Sequence, residues 1–210
     1  MKRQLCAALL AVATVVPVAA QAPEGWKLRA DRSTSASDPD APGDIKFVRT
    51  ASGFHATNPQ AAVYWHPGNQ ATGNYSLKGS FTLVKPSGHT NYYGLVFGGS
   101  NLEGAGQTYL YFMVAQDGTF LIKKREGDAT TRDVSDKLTS NAVKKPDANG
   151  TSTNDLEVRI RPDRIEYLVN GTTVHTTPKT GLTAATAGVY GIRVNHQLEV
   201  RVDGLSMSTL

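Results

Sequence analysis

Residues 156–176 read Leu156-Glu157-Val158-Arg159-Ile160-Arg161-Pro162-Asp163-Arg164-Ile165-Glu166-Tyr167-Leu168-Val169-Asn170-Gly171-Thr172-Thr173-Val174-His175-Thr176. Apolar and polar residues alternate through 156–161 and 164–167, the period of a strand covered on one face. With Pro162-Asp163 as a two-residue turn, Ile160 faces Ile165, Val158 faces Tyr167 and Leu156 faces Val169, so one surface is wholly apolar. The other surface sets Arg159 against Glu166. That pair contributes roughly 0.2–1 kcal/mol, so the buried surface decides the register. Asn170-Gly171 turns the chain again, because a type I′ turn needs positive φ at both central positions and Asn and Gly tolerate it. The strand over 172–176 therefore folds back on 164–169.

The same punctuation recurs outward from this segment. Strands are expected over 189–194 and 198–202, continuing a meander, the second with Leu198, Val200 and Val202 inward and Glu199, Arg201 and Asp203 outward. Residues 92–98, 108–115 and 119–125 are apolar or aromatic at both alternate sets, as in strands covered on two sides. Asp117-Gly118 reads as another two-residue turn, which puts Met113 opposite Ile122 and Tyr111 opposite Lys124. Tyr109, Tyr111 and Met113 then share one face, and Leu110, Phe112 and Val114 the other. Earlier strands are expected over 45–50, 53–57, 61–65 and 75–84. No stretch after residue 20 repeats apolar residues at helical spacing for three turns. The fold class is all-β, a two-sheet antiparallel sandwich or jelly roll.

The chain has 210 residues, 40% of them hydrophobic and 19% charged, which suits a folded body and excludes a wholly disordered or membrane-embedded one. Lys2 and Arg3, an apolar run over 5–16 and Val18-Ala19-Ala20 form an export leader over residues 1–20, cut before Gln21. The apolar run is too short for a transmembrane anchor, which needs roughly twenty residues. Residues 21–44 are expected to be partly irregular, and 45–210 to form one sandwich domain. Removing the leader takes two of the 22 basic residues, so the formal charge falls from +4 to 20 − 18 = +2. With no basic block, nucleic acid is not an expected partner. The single cysteine, Cys6, leaves with the leader, so the mature chain holds together without a disulfide in a compartment, periplasm or medium, that permits them.

Tyr93-Gly94-Leu95-Val96-Phe97, Tyr111-Phe112 with Asp117-Gly118-Thr119-Phe120, Asn154-Asp155-Leu156-Glu157-Val158, Val169-Asn170-Gly171 and Gly188-Val189-Tyr190-Gly191-Ile192-Arg193-Val194 follow one another in a familiar order. Over roughly residues 45–206 the chain resembles the concanavalin A-like lectin/glucanase superfamily. It is most similar to small secreted bacterial members of the laminin-G-like or keto-disaccharide-hydrolase-like type. These motifs are turn glycines and alternating apolar positions, so the resemblance implies the fold and leaves open sugar binding, glycoside cleavage and protein binding.

Cleavage by a retaining glycosidase needs two carboxylates about 5–5.5 Å apart. The Glu-x-Asp-x-x-Glu strand motif of the superfamily's glucanases is missing. Nor does the sequence hold a Gly-x-Ser-x-Gly elbow. Asp38, Asp40 and Asp44 offer three oxygen ligands in a short loop, the chemistry calcium takes, though without the spacing of an EF-hand. The five histidines show no zinc spacing such as His-x-x-x-His, so no cofactor is expected beyond this calcium candidate.

Aromatic and polar residues cluster instead, as sugar recognition requires: rings for apolar sugar faces, and amides or histidines for hydroxyls. The expected groove is floored by Tyr109 and Tyr111 with Lys124 as cross-strand neighbour, and rimmed by Trp65, His66, His89, Asn91 and Tyr92. The expected partner is a glycan or oligosaccharide, bound on a concave aromatic face without catalysis by an exported protein. The alternatives are a glycoside-cleaving enzyme and an envelope module that binds another protein.

Overall fold

The computed structural model describes residues 22–210; the expected leader over residues 1–20 lies outside the described residues. The strands are β1 (Lys27–Asp31), β2 (Lys46–Arg49), β3 (Gly53–Asn58), β4 (Ala61–Ala71), β5 (Tyr75–Lys85), β6 (Tyr92–Ser100), β7 (Thr108–Ala115), β8 (Thr119–Glu126), β9 (Thr131–Asp133), β10 (Leu138–Thr139), β11 (Ser152–Ile160), β12 (Arg164–Val169), β13 (Thr172–Pro178), β14 (Gly188–Val194) and β15 (Leu198–Thr209). The described helical structure is one 3₁₀ turn, Gly181–Thr183. No described helix is long and apolar enough to cross a membrane.

The strands form two antiparallel sheets. The first runs β1-β4-β14-β6-β7-β8-β10, with β9 also on β8, and the second β13-β12-β11-β5-β15-β3-β2. Inner-face side chains of both sheets fill the space between them. Tyr64, Tyr93, Leu95, Phe97, Leu110, Phe112 and Ile192 meet Phe81, Leu83, Leu156, Val158, Ile165, Tyr167 and Val200 in one buried cluster. The hairpin from which the sequence was read has the expected register, Leu156↔Val169, Val158↔Tyr167 and Ile160↔Ile165. Asn170 and Gly171 take φ values of 50° and 80°, the left-handed pair a type I′ turn requires. Arg159 and Glu166 are cross-strand neighbours, but Arg159 binds Glu157 in its own strand at 2.6 Å and Glu166 is held by Arg164 at 2.9 Å.

Two expectations fail. The closing strands do not continue the meander of β11, β12 and β13: β14 lies in the first sheet and β15 in the second. Alternation identifies a strand and its buried face, but both sheets face the same core, so it does not say which sheet receives the strand.

The β7–β8 turn is also one residue longer than Asp117-Gly118. Gly118 N–H donates to Ala115 O at 3.2 Å and Gly118 has φ of 89°, so Gln116 and Asp117 form the turn and Gly118 follows in left-handed conformation. This three-residue loop moves the register to Tyr111↔Lys123 and Met113↔Leu121. Lys124 is opposite Leu110, on the other face from Tyr111, where its ammonium reaches Glu126 at 3.2 Å.

Candidate functional site

The first sheet is apolar on its outer face too. Val63 and Trp65 of β4, Tyr92 and Val96 of β6, Tyr109, Tyr111 and Met113 of β7 and Leu121 of β8 make a second buried cluster there, separate from the inter-sheet core. These are the alternate positions that made 92–98 and 108–115 apolar on both sides.

The face is concave. Arg125 Nη2 of β8 lies 2.6 Å from Asp31 Oδ1 of β1, although five inter-strand spacings separate these strands in the sheet order. In a flat sheet that is roughly 24 Å, beyond the combined reach of an aspartate and an arginine, so the sheet curls through its outer face. The same Asp31 binds Arg193 Nη2 of β14 at 2.6 Å, and Arg193 Nη1 donates to the Tyr109 hydroxyl at 2.9 Å. Farther along β1, Arg29 donates to the carbonyls of Glu103 and Gly104 and to Asp128. Lys27 pairs with Glu103 at 2.6 Å. β1 is thus tied across the groove to the β6–β7 loop and to β8.

Burial opposes ionisation of Asp31, but Arg193 and then Arg125 outweigh it and hold its carboxyl below the usual aspartate range. Burial likewise works against the charge of Arg193, yet Tyr109, Asp31 and Tyr111 keep it protonated. The Tyr111 hydroxyl is pushed up to about 12, chiefly by burial, and that of Tyr92 is raised for the same reason. Neither is an acid or base near neutral pH.

One end of the groove stays open as a cleft of about 210 Å³, lined by Asp38, Thr90, Asn91, Tyr92, Tyr111, Met113, Leu121, Lys123, Lys137, Arg193 and Asn195. That is smaller than the roughly 300–1000 Å³ of sites that engulf a drug-sized ligand, so it suits a single ring or a chain end. Tyr92 and Tyr111 are only 4% and 5% exposed and form the floor. The polar lining carries three cations against the carboxylate of Asp38. Lys123 is paired with Asp133 at 2.8 Å, Arg193 spends three of its five N–H donors on Asp31, Tyr109 and Asn195, and the Lys137 ammonium stands 5.6 Å from the Tyr92 ring centre.

Of the residues expected to form the groove, Asn91, Tyr92 and Tyr111 line this cleft. Trp65 and Tyr109 share the concave face but are covered, 3% and 1% exposed, Trp65 where β1 and Glu103 close over it. His66 does not join them: it follows Trp65 in β4, turns away from the groove and packs against Trp26, its Nδ1 accepting Gly68 N–H at 3.0 Å. Lys124 is replaced by Lys123 through the register shift.

His89 stands at the mouth, its Nε2 2.9 Å from Asp38 Oδ1 and 3.3 Å from His196 Nε2. Of the three aspartates considered for calcium, Asp38 and Asp40 gather around His196, whereas Asp44 lies apart in a shallow hollow with Lys46, Thr57 and Lys85. The missed lining residues left uneven signals. Arg193 was visible as a lone cation inside an apolar strand, Lys123 was one register step away, and nothing local marks Lys137 or Asn195.

Two antiparallel sheets of this order, one curled into a groove, form a jelly-roll β-sandwich. Among solved structures, the carbohydrate-binding module CBM66 from Bacillus subtilis superposes with a TM-score of 0.60 at 10% identity, covering 88% of this chain and 96% of that one. A GH16 protein of a Bacteroides ovatus mixed-linkage glucan locus, in complex with a G4G4G3G product, gives 0.58 at 8% identity, with 87% and 94% covered. A double-cysteine variant of alginate lyase A1-II′ gives 0.50 at 15% identity, with 89% and 95% covered. No protein-family model and no curated protein matches the sequence. At these identities the likeness establishes the fold.

Proposed function

We propose that the protein is exported and binds a saccharide without cleaving it, and that the sugar carries an acidic group, a carboxylate or a sulfate. The observation that supports this reading is the cleft itself: a tyrosine floor, amides from Asn91 and Asn195, and Lys123, Lys137 and Arg193 around one opening. The tyrosines expose too little ring for stacking to dominate, so the charged rim carries the recognition. A hydrogen bond to a charged group contributes about 1.5–3 kcal/mol. Carbohydrate-binding proteins among the structures of the same fold are consistent with a sugar in this groove.

The test is calorimetric titration with uronic-acid and sulfated oligosaccharides beside neutral ones. Lys137→Ala and Lys123→Ala should each weaken binding of the acidic set by about tenfold, and Lys124→Ala should leave it unchanged. Equal affinity for neutral and acidic sugars, or indifference to both lysines, overturns the acidic-sugar reading. Binding of no saccharide at all overturns the whole.

Glycoside cleavage has one observation in its favour, the Asp38–His89 pair at the mouth. A second carboxylate is not among the cleft's lining residues. Release of new reducing ends from the same oligosaccharides, lost in Asp38→Asn, would establish it.

A further inference from the structure

We propose that Asp38, His89 and His196 hold a divalent transition-metal ion of the zinc class, with Asp40 orienting His196. Asp38 Oδ1 lies 2.9 Å from His89 Nε2 and 3.2 Å from His196 Nε2, and the two nitrogens are 3.3 Å apart. Ligands about 2.1 Å from a tetrahedral ion are separated by about 3.4 Å, and by about 3.0 Å when adjacent on an octahedral one. The triangle already has the dimensions of three ligands around one ion.

The hydrogen bonding points the same way. Asp40 Oδ1 is 3.0 Å from His196 Nδ1, and its Oδ2 accepts Ser33 N–H at 2.9 Å. A carboxylate only accepts, so Nδ1 of His196 carries the hydrogen, and in its neutral form the ring presents an Nε2 lone pair toward Asp38 and His89. Three electron-rich atoms then converge, and one hydrogen on His89 Nε2 bridges a single contact at a time. A metal ion satisfies all three together. Asn91 Nδ2 approaches His89 Nε2 at 2.9 Å as well as His196 O at 3.0 Å and Ser87 Oγ at 3.2 Å, three acceptors for two hydrogens, so metal binding requires both hydrogens to go to the two oxygens.

The ligands come from three separate segments. His196 is buried in the turn between β14 and β15. The carbonyls of Ser87 and His89 both accept from Gln116 Nε2 at 3.0 Å, which braces the loop before β6. Asp38 and Asp40 sit in the segment following β1, where Pro39 O accepts Gln197 Nε2 at 3.0 Å. Two imidazoles select a transition metal over calcium, which takes oxygen. Three protein ligands leave at least one coordination position. Asp38 is also a cleft residue, so the ion lies at the cleft mouth. This inference does not rest on the saccharide reading.

The purified chain, stripped with a chelator and dialysed, should bind one equivalent of zinc by calorimetry. Cobalt in its place should give visible absorption bands of low-symmetry coordination. At a hundredfold excess over Kd the melting temperature should rise by about 5–10 °C. His89→Ala, a half-exposed position, should abolish the cobalt bands and the shift while the apo protein keeps its melting temperature. Asp40→Asn should weaken zinc by about 10–100-fold. His55→Ala, elsewhere on β3, should change nothing. Absence of zinc binding at 100 µM, binding that survives His89→Ala, or a response to calcium alone overturns the proposal.

Discussion

Ile165 shows what a single side chain contributes to this sandwich. It is fully buried, opposite Ile160 on β11 and packed in the same core cluster as Tyr167 and Phe112. Ile165→Ala removes three carbons from a close-packed interior that relaxes only in part, so urea unfolding should report a loss of about 2–5 kcal/mol with an unchanged m-value. A loss under 1 kcal/mol would mean that this surface is not the core. The position was legible because Arg164, Ile165, Glu166 and Tyr167 alternate polar and apolar. The groove residues were less so. Tyr92 and Tyr111 could be assigned to one face by the same period, but their near-complete burial comes from distant groups packed over them, which no local pattern records.

At the scale of elements, turns decide what sequence reading gets right. Asn170-Gly171 admits one economical geometry, and the pairs beside it, Val169↔Thr172 and Leu168↔Thr173, follow from it until a bulge brings Tyr167 opposite His175. Gln116-Asp117-Gly118 admits two, a two-residue turn on Asp117-Gly118 or a three-residue loop ending in a left-handed glycine, and the chain takes the second. One residue of difference moves Lys124 out of the groove and Lys123 in. Gly118→Ala tests this loop, because its φ of 89° is closed to an L side chain without strain and a Cβ there would press on the Lys145 side chain. Thermal unfolding should show a loss of about 1–2 kcal/mol, and Gly73→Ala, also at positive φ but in open space, should isolate the backbone part of that cost. The Asp38–His89–His196 cluster escaped sequence reading for another reason. The two histidines are 107 residues apart, and spacing rules find only ligands that share one element.

Across the whole molecule, ion pairs span the curl of the first sheet and join its two sides. Asp31 sits between Arg193 and Arg125, and both arginines stay protonated at any pH the fold survives. Its carboxyl titrates lower in the folded chain than the roughly 3.9 of an unfolded one, since the two guanidiniums outweigh its burial. A group with a depressed folded pKa contributes its full stability above the unfolded value and loses it as pH falls through the folded one. The contribution of Asp31 should therefore be complete above about pH 4 and decline below it, where a neutral acid leaves two guanidiniums facing each other in the groove. Asp31→Asn should cost about 3 kcal/mol at pH 7, the low end for breaking a buried pair, because Asp31 keeps some contact with solvent. Urea unfolding of both proteins from pH 7 to pH 2.5 should show the difference narrowing below pH 4. The variant should also loosen β1 over Trp65, so iodide should quench more of its tryptophan fluorescence than the wild type's at pH 7. A constant stability gap down to pH 2.5, or quenching equal to wild type, would mean that the groove closes without Asp31 and that the curl comes from backbone packing alone.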